Sequence, residues 1–215
     1  MNRFADIPPP AHRLRGTVRA LACVLVAGLL AGCNVLPERS DLRLFDPQPQ
    51  VVIAADTPQV DWQLAIPRPH ADTTVDSARI LVRPEPGEVQ VYKGAAWTRS
   101  TPDLVQDMLV RAFADSGLLP GVSRRGDGVA AEYVLLLDLR SFESDYTATG
   151  APQAKIVIGA RLLRARDKRV VATRRFESLT PAQATDVASV ARAFEDGLGE
   201  MSGRIVDWTL DEGRR

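Results

Sequence analysis

The sequence predicts an α+β fold: a largely antiparallel sheet of about six strands with two helices packed on one face. Two segments repeat apolar residues at helical spacing and begin with helix-start chemistry. Most others alternate apolar and polar residues, as half-buried strands do. Their order along the 215-residue chain is βββ-α-βββ-α.

Trp62 to Ile66 alternates and stops at Pro67-Arg68-Pro69, as a first or edge strand does. Ala78 to Arg83 places Ile80 and Val82 on one face and closes at Pro84-Glu85-Pro86-Gly87. Glu88 to Lys93 alternates again, and Gly94-Ala95-Ala96 is expected to turn the chain toward Trp97. Thr101-Pro102-Asp103 combines a hydroxyl cap, a first-turn proline and a first-turn acid. From there Leu104, Val105, Met108, Leu109, Ala112 and Phe113 keep one apolar face until Ser116-Gly117. One more short strand can form near Val122. Tyr133 to Phe142 carries four successive apolar residues, which suits a central strand buried on both sides for part of its length. Ala154 to Arg164 and Arg169 to Phe176 are separated only by Ala165-Arg166-Asp167-Lys168 and so form a hairpin. After Thr180-Pro181, the residues Val187, Val190, Phe194, Leu198, Met201, Ile205 and Trp208 step by three or four through a long helix. Gly197, Gly199 and Gly203 weaken that helix by ~1 kcal/mol each relative to Ala, so tight packing on the sheet is expected to compensate.

The first 60 residues read differently. Arg3, Arg13, Arg15 and Arg19 precede the apolar run Ala20 to Leu30, and Leu30-Ala31-Gly32-Cys33 closes it. A basic region, a short apolar region and small residues before a cleavage point make a secretory signal, and the run is shorter than the ~20 residues a membrane span needs. The Cys directly after Ala-Gly makes it a lipoprotein signal: its thiol can take a diacylglyceryl thioether, and cleavage frees an amine for a further acyl chain. Two or more chains anchor firmly where one does not. Asn34 is not the Asp that commonly retains such proteins at the inner membrane, so the expected location is the outer membrane, lipid-anchored on its periplasmic face. Residues 33–60, with Pro37, Pro47, Pro49 and Pro58, read as the lipidated Cys and a flexible tether reaching several tens of ångströms at ~3.3 Å per residue. Leu42-Arg43-Leu44-Phe45 alternates within it and can add a short edge strand. The expected organisation is thus 1–32 signal peptide, 33–60 tether and 61–212 domain.

The chain carries 27 Lys/Arg against 27 Asp/Glu, and cleavage removes four of the first and one of the second, leaving a mature net charge near −3. That offers no global field for nucleic acid. With Cys23 removed and Cys33 acylated, no thiol pair remains to form a disulfide.

No constellation for catalysis, metal or cofactor stands out. His70 is the mature chain's single histidine and reads as a solvated loop residue. Gly197-Leu198-Gly199 lies inside a periodic helix, whereas a dinucleotide fingerprint joins a strand to a helix. Asp138, Glu143 and Asp145 read as a solvated strand face. The densest charge feature is basic, Arg161 to Arg175, concentrated at one hairpin tip. Its plain reading is a solvated hairpin that discourages edge pairing. Its functional reading, through Arg164, Arg166 and Arg169, is a docking surface for an acidic partner or lipid headgroups. Tyr92 and Trp97 flank a short turn, where aromatics serve either packing or a groove.

Several stretches recur in a familiar order: the lipobox and short tether; Trp62 to Pro69; Ser77-Ala78-Arg79-Ile80-Leu81-Val82; Val91-Tyr92 and Trp97 ahead of a helix ending Phe113-Ala114-Asp115-Ser116-Gly117; Tyr133 to Phe142; Phe176; and Val206-Asp207-Trp208. In this the chain resembles the ABC-type transport auxiliary lipoproteins, the group that includes paraquat-inducible protein C. Leu42-Arg43-Leu44-Phe45 departs from the Tyr-Tyr-x-Leu stretch common in relatives, so no role is carried over to it. The resemblance implies a non-catalytic outer-membrane subunit of an envelope lipid-transport system. There an inner-membrane ABC permease and ATPase work with a periplasm-spanning MCE-domain protein, and the lipoprotein docks or receives that conduit, with phospholipid a further contact. A lipoprotein that assists assembly or plugging of an outer-membrane β-barrel is the competing expectation. The oligomeric state is left open, an oligomer included.

Overall fold

The computed structural model describes residues 41–124, 128, 130–148 and 150–214, so the expected signal peptide and Cys33 lie outside the described residues. Among the described residues nine strands form one mixed sheet: β1 Arg43–Phe45, β2 Leu64–Ile66, β3 His70–Ala71, β4 Arg79–Arg83, β5 Gln90–Trp97, β6 Val122–Arg124, β7 Tyr133–Asp145, β8 Gln153–Arg164 and β9 Arg169–Pro181. Helix α1, Thr101–Ser116, separates β5 from β6, and α2, Val187–Gly213, closes the chain.

β7 is the spine. One of its edges pairs antiparallel with β8 from Tyr133↔Arg164 to Asp145↔Gln153, and β8 pairs in turn with β9. Its other edge is filled by three short parallel strands in succession: β2 at Tyr133, β3 at Asp138 and β4 at Glu143. Pro67 and Pro69 have no N–H to donate to a ladder, so the first two stay separate. β6 extends the sheet from β2, while β5 and then β1 extend it from β4, with β1 parallel to β5. The α+β class therefore holds, but the sheet is larger than about six strands and mixed rather than largely antiparallel. β3, two residues long, carries no readable periodicity, and the parallel pairing of β2 and β4 with β7 joins segments more than 60 residues apart, which alternation along either cannot show.

Gly94-Ala95-Ala96 does not turn the chain. Gly94 takes φ 68°, and the β4–β5 register jumps from Leu81↔Val91 to Arg79↔Ala96. A bulge there lets β5 run on to Trp97.

One face of the sheet is apolar. Leu135, Leu137 and Leu139 of β7 alternate inward, a register shift follows between Leu139 and Ser141, and Phe142 resumes the pattern. Opposite them stand Leu162, Ala160, Ile158 and Ile156 of β8, with Phe176 beside them on β9. Helix α2 covers this face with Val190, Phe194, Leu198, Met201 and Ile205, all buried. Asp186 caps it, its carboxylate accepting from Ala188 N at 3.0 Å and Ser189 N at 3.1 Å. Helix α1 packs beside α2, with Ser202 Oγ 3.3 Å from Met108 Sδ, and ends at Gly117 with φ 64°.

The compact unit begins at Asp41, so the expected boundary at 61 moves and residues 41–60 are part of the domain. After β1, the chain crosses α2 as a strap. A Cβ on Gly199 would stand 2.4 Å from the Gln50 carbonyl oxygen, and one on Gly203 2.0 Å from that of Val52. Asp207 then clasps the strap by accepting from Ala54 N and Thr57 Oγ1. Of the three glycines expected to pack on the sheet, only Gly197 does, facing Ser178, Thr180 and Ile156.

Candidate functional site

The β8–β9 hairpin closes on the pair Arg164↔Arg169. Its turn needs a left-handed residue, supplied by Lys168 at φ 57°. Asp167 accepts from Arg169 N at 3.2 Å and lies 3.5 Å from Arg164 Nη1. Beneath the tip, Ala165 N donates to Glu132 O at 2.8 Å, and Glu132 Oε2 accepts from Gln63 N at 2.7 Å. This ties the tip to the starts of β2 and β7, where the rings of Trp62 and Tyr133 meet at 4.7 Å. Gly213, the last residue of α2, lies against the Trp62 ring, where an added Cβ would not fit.

An open groove of about 670 Å³ results, lined by Trp62, Ala131, Glu132, Tyr133, Arg164, Ala165 and Arg166. A second concavity of about 370 Å³ holds Tyr133, Arg164, Arg169, Val170, Val171 and Glu212. The structure thus brings Arg164, Arg166 and Arg169 together around Tyr133. Guanidinium forks beside aromatic faces suit a carboxylate or phosphate attached to apolar structure. Glu132 and Glu212 set a limit on the net positive field. Trp62 and Tyr133 escaped the sequence reading as site residues: each looks like the start of a strand, and only the non-local β2–β7 register joins them.

Tyr92 and Trp97 do not belong to this site. Trp97 is only 1% exposed, its ring edge-on to Phe142 at 5.5 Å and Phe194 at 5.2 Å. The contact role is corrected accordingly: with β5 extended through the bulge, Trp97 falls on the inward face and is core. Tyr92 is half-buried at the far end of β7, its hydroxyl 3.2 Å from Tyr146 Oη and 3.5 Å from Ser144 Oγ. Burial, with Tyr146 as a hydrogen-bond partner, pushes its pKa up to about 12. Roughly 35 Å of strand separates it from the Arg cluster.

The face of the sheet away from α2 is charged. Glu143 and Asp145 are buried there, not solvated as expected, because cations cover them: Arg83 binds Glu143 through two 2.8 Å contacts, and Lys155 Nζ lies 2.8 Å from Asp145. Those partners stand on neighbouring strands, so spacing along β7 could not reveal them. Asp138 pairs with Arg140 at 2.9 Å and His70 Nδ1 at 3.3 Å, and His70 is exposed.

Between β2 and β3, Arg68 reaches the start of α1. It donates to Asp103 at 2.6 Å, to Asp76 at 2.7 and 2.9 Å, and to Ser100 Oγ at 2.8 Å. These bonds hold the Asp76 and Asp103 carboxyls below the usual carboxylate range. The unfolded chain, with carboxyl pKa values near ~4, therefore binds protons more readily than the folded one. Stabilisation from this network is full above pH ~4 and is lost as pH falls through the lower folded values. Urea unfolding of Arg68→Met against wild type is expected to show a deficit at pH 6 that shrinks toward pH ~2.5. A deficit independent of pH would assign Arg68 a packing role instead.

Among the described residues there is no group of three or more His, Cys, Asp or Glu placed to hold a metal ion. Nor, among them, is any helix long and apolar enough to cross a membrane.

Comparison with known proteins agrees with the fold. The crystal structure of protein XCC0632 from Xanthomonas campestris is 43% identical, with a TM-score of 0.77 over 80% of this chain and 96% of that one. A second, uncharacterized crystal structure, 11% identical, shares the fold alone, at a TM-score of 0.60 over 77% of this chain and 97% of that one. The uncharacterized protein bll6063 of Bradyrhizobium diazoefficiens is 29% identical over 147 residues, which are 68% of this chain but only 39% of that relative's length. The family model described as ABC-type transport auxiliary lipoprotein component matches residues 42–206, from the residue before β1 to the last third of α2. The chain belongs to the family of ABC-type transport auxiliary lipoprotein components.

Proposed function

We propose that this protein is the non-catalytic outer-membrane subunit of an envelope lipid-transport system of the MCE/ABC type, anchored through acylated Cys33 on the periplasmic face. The observation that carries the reading is the family match over residues 42–206, which makes the chain an auxiliary lipoprotein of an ABC transport system. In this reading the ATPase and permease lie at the inner membrane, and the lipoprotein docks the periplasm-spanning MCE protein. The docking surface is the hairpin-end groove, where Arg164, Arg166 and Arg169 surround Tyr133. Arg-rich surfaces beside aromatic rings concentrate contact energy, and an acidic segment with an apolar flank fits this one.

Two variants test the reading. Cys33→Ser removes the nucleophile for the thioether, so the precursor is expected to stay unprocessed and unlabelled by palmitate. In the lipidated protein, Arg164→Glu/Arg166→Glu/Arg169→Glu is expected to fold normally and to lose co-purification with the MCE partner. A triple variant that co-purifies and restores the envelope barrier like wild type excludes the groove as the docking surface. A Cys33→Ser protein that still labels excludes the anchor.

A further inference from the structure

The strap shortens the leash between the anchor and the domain. Only seven residues, 34–40, separate Cys33 from Asp41, where the compact unit begins. From Cys33 to Asp41 the fully extended chain spans at most ~28 Å. Further length is locked by β1, paired with β5 from Arg43 to Phe45, and behind it by the clasp at Asp207 and the seating of Gln50 and Val52 on Gly199 and Gly203. The several tens of ångströms expected of a 27-residue tether are not available. With acyl chains on Cys33, the surface around Asp41 is therefore kept within ~28 Å of the bilayer.

That surface is apolar where it should be polar. Leu42 is 62% exposed, Leu44 60%, Val91 46% and Val89 40%, the majority of the large exposed hydrophobic side chains among the described residues. The register sets Leu44 beside Ala96, pairs Ala96 with Arg79 and Val91 with Leu81, and so puts these side chains on the sheet face away from α2. Gly94 sits close to the Asp41 carbonyl, which brings Leu42 alongside the β5 bulge. Exposed Arg79 and Lys93 border the patch with Glu88, while Arg43 turns to the other face, over the Phe45 ring. Among the described residues, β1 is also the end strand of the sheet, with no strand pairing it beyond β5. A strand edge left open with leucines facing outward is an aggregation hazard unless something covers it.

We propose that the β1–β5 edge is the face on which the domain rests against the lipid bilayer, with Leu42 and Leu44 entering the boundary between headgroups and acyl chains and the rim cations meeting lipid phosphates. The inference rests on acylation of Cys33. It fixes an orientation that the docking reading leaves free: the edge strand faces the membrane and the Arg164–Arg169 hairpin, at the far side of the sheet, is left accessible. Apolar side chains backed by cations bind an interface in this way.

The test uses the mature lipoprotein in vesicles of phosphatidylethanolamine and phosphatidylglycerol. Mature wild type has no free thiol, so Leu44→Cys carries a single bimane label, and Leu179→Cys on β9, 51% exposed, serves as the control. Both positions are exposed and should tolerate the change. A blue-shifted emission at position 44, quenched several-fold more by brominated acyl chains than at position 179, is the expected result. Equal, unquenched signals overturn the proposal. A blue shift that grows with protein concentration but resists lipid quenching overturns it in favour of a second copy of the chain on this edge. Palmitate incorporation is read on the same samples. An unlipidated chain overturns the anchor and this proposal together, whereas a lipidated chain with a solvent-exposed label overturns only the latter.

Discussion

Phe194→Ala is expected to cost ~3–5 kcal/mol of folding stability, from lost burial and the cavity it leaves. Phe194 is fully buried at the centre of the domain, its ring stacked on Phe142 at 4.6 Å and edge-on to Trp97 at 5.2 Å. The three rings come from α2, β7 and β5, so one side chain joins the terminal helix to the spine strand and to the far part of the sheet. Neither neighbour can collapse into the space, because Phe142 and Trp97 are held on strands with paired registers. Domains of this size have total stabilities of ~5–15 kcal/mol, so the loss is a large fraction. Urea denaturation checks it, with Phe194→Leu expected to recover most of the deficit by keeping volume and apolarity. A cost below ~1 kcal/mol for Phe194→Ala would reject the packing described here. Trp97→Ala is expected to behave like Phe194→Ala, as a core variant and not as a contact variant.

What the sequence made legible follows from what is local. The helical face of Val190, Phe194, Leu198, Met201 and Ile205 appears as described, as does the turn at residues 165–168 between β8 and β9. The basic residues at that turn were visible as a cluster for the same reason. Long-range partners were not. β3 is two residues long and is a strand only through β7, and β2, though its alternation shows, takes its parallel partners β6 and β7 from more than 55 residues away. Glu143 and Asp145 looked like solvated carboxylates because Arg83 and Lys155 reach them from other strands. Trp62 meets Tyr133 across the β2–β7 pairing, some 70 residues apart, so the groove had no signature in either segment. The strap was hidden in another way. Pro47, Pro49 and Pro58 give it the composition of a tether, and its partner is the bare backbone of glycines about 150 residues later.

That partnership leads to the second large effect. In an exposed helix, Gly→Ala stabilises by ~1 kcal/mol through lost backbone entropy. At Gly203 the sign is expected to reverse. The added Cβ would stand 2.0 Å from the Val52 carbonyl oxygen, and a backbone atom cannot rotate aside as a side chain can. Either the strap lifts or the helix shifts, at a cost on the order of 1–3 kcal/mol, the usual range for overpacking. Gly199→Ala, at 2.4 Å from the Gln50 carbonyl oxygen, is expected to behave similarly but more mildly. Gly197→Ala tests the reasoning, because its nearest atoms are the Thr180 and Ser178 hydroxyls, at 2.7 and 3.0 Å, which can move. The expected order of destabilisation is Gly203, then Gly199, then Gly197. Hydrogen exchange separates a lifted strap from a loosened core: in Gly203→Ala, the Ala54 amide that donates to Asp207 should lose protection, while the amides of the β7–β8 ladder keep theirs. A neutral or stabilising Gly203→Ala would mean that the strap does not bear on the helix.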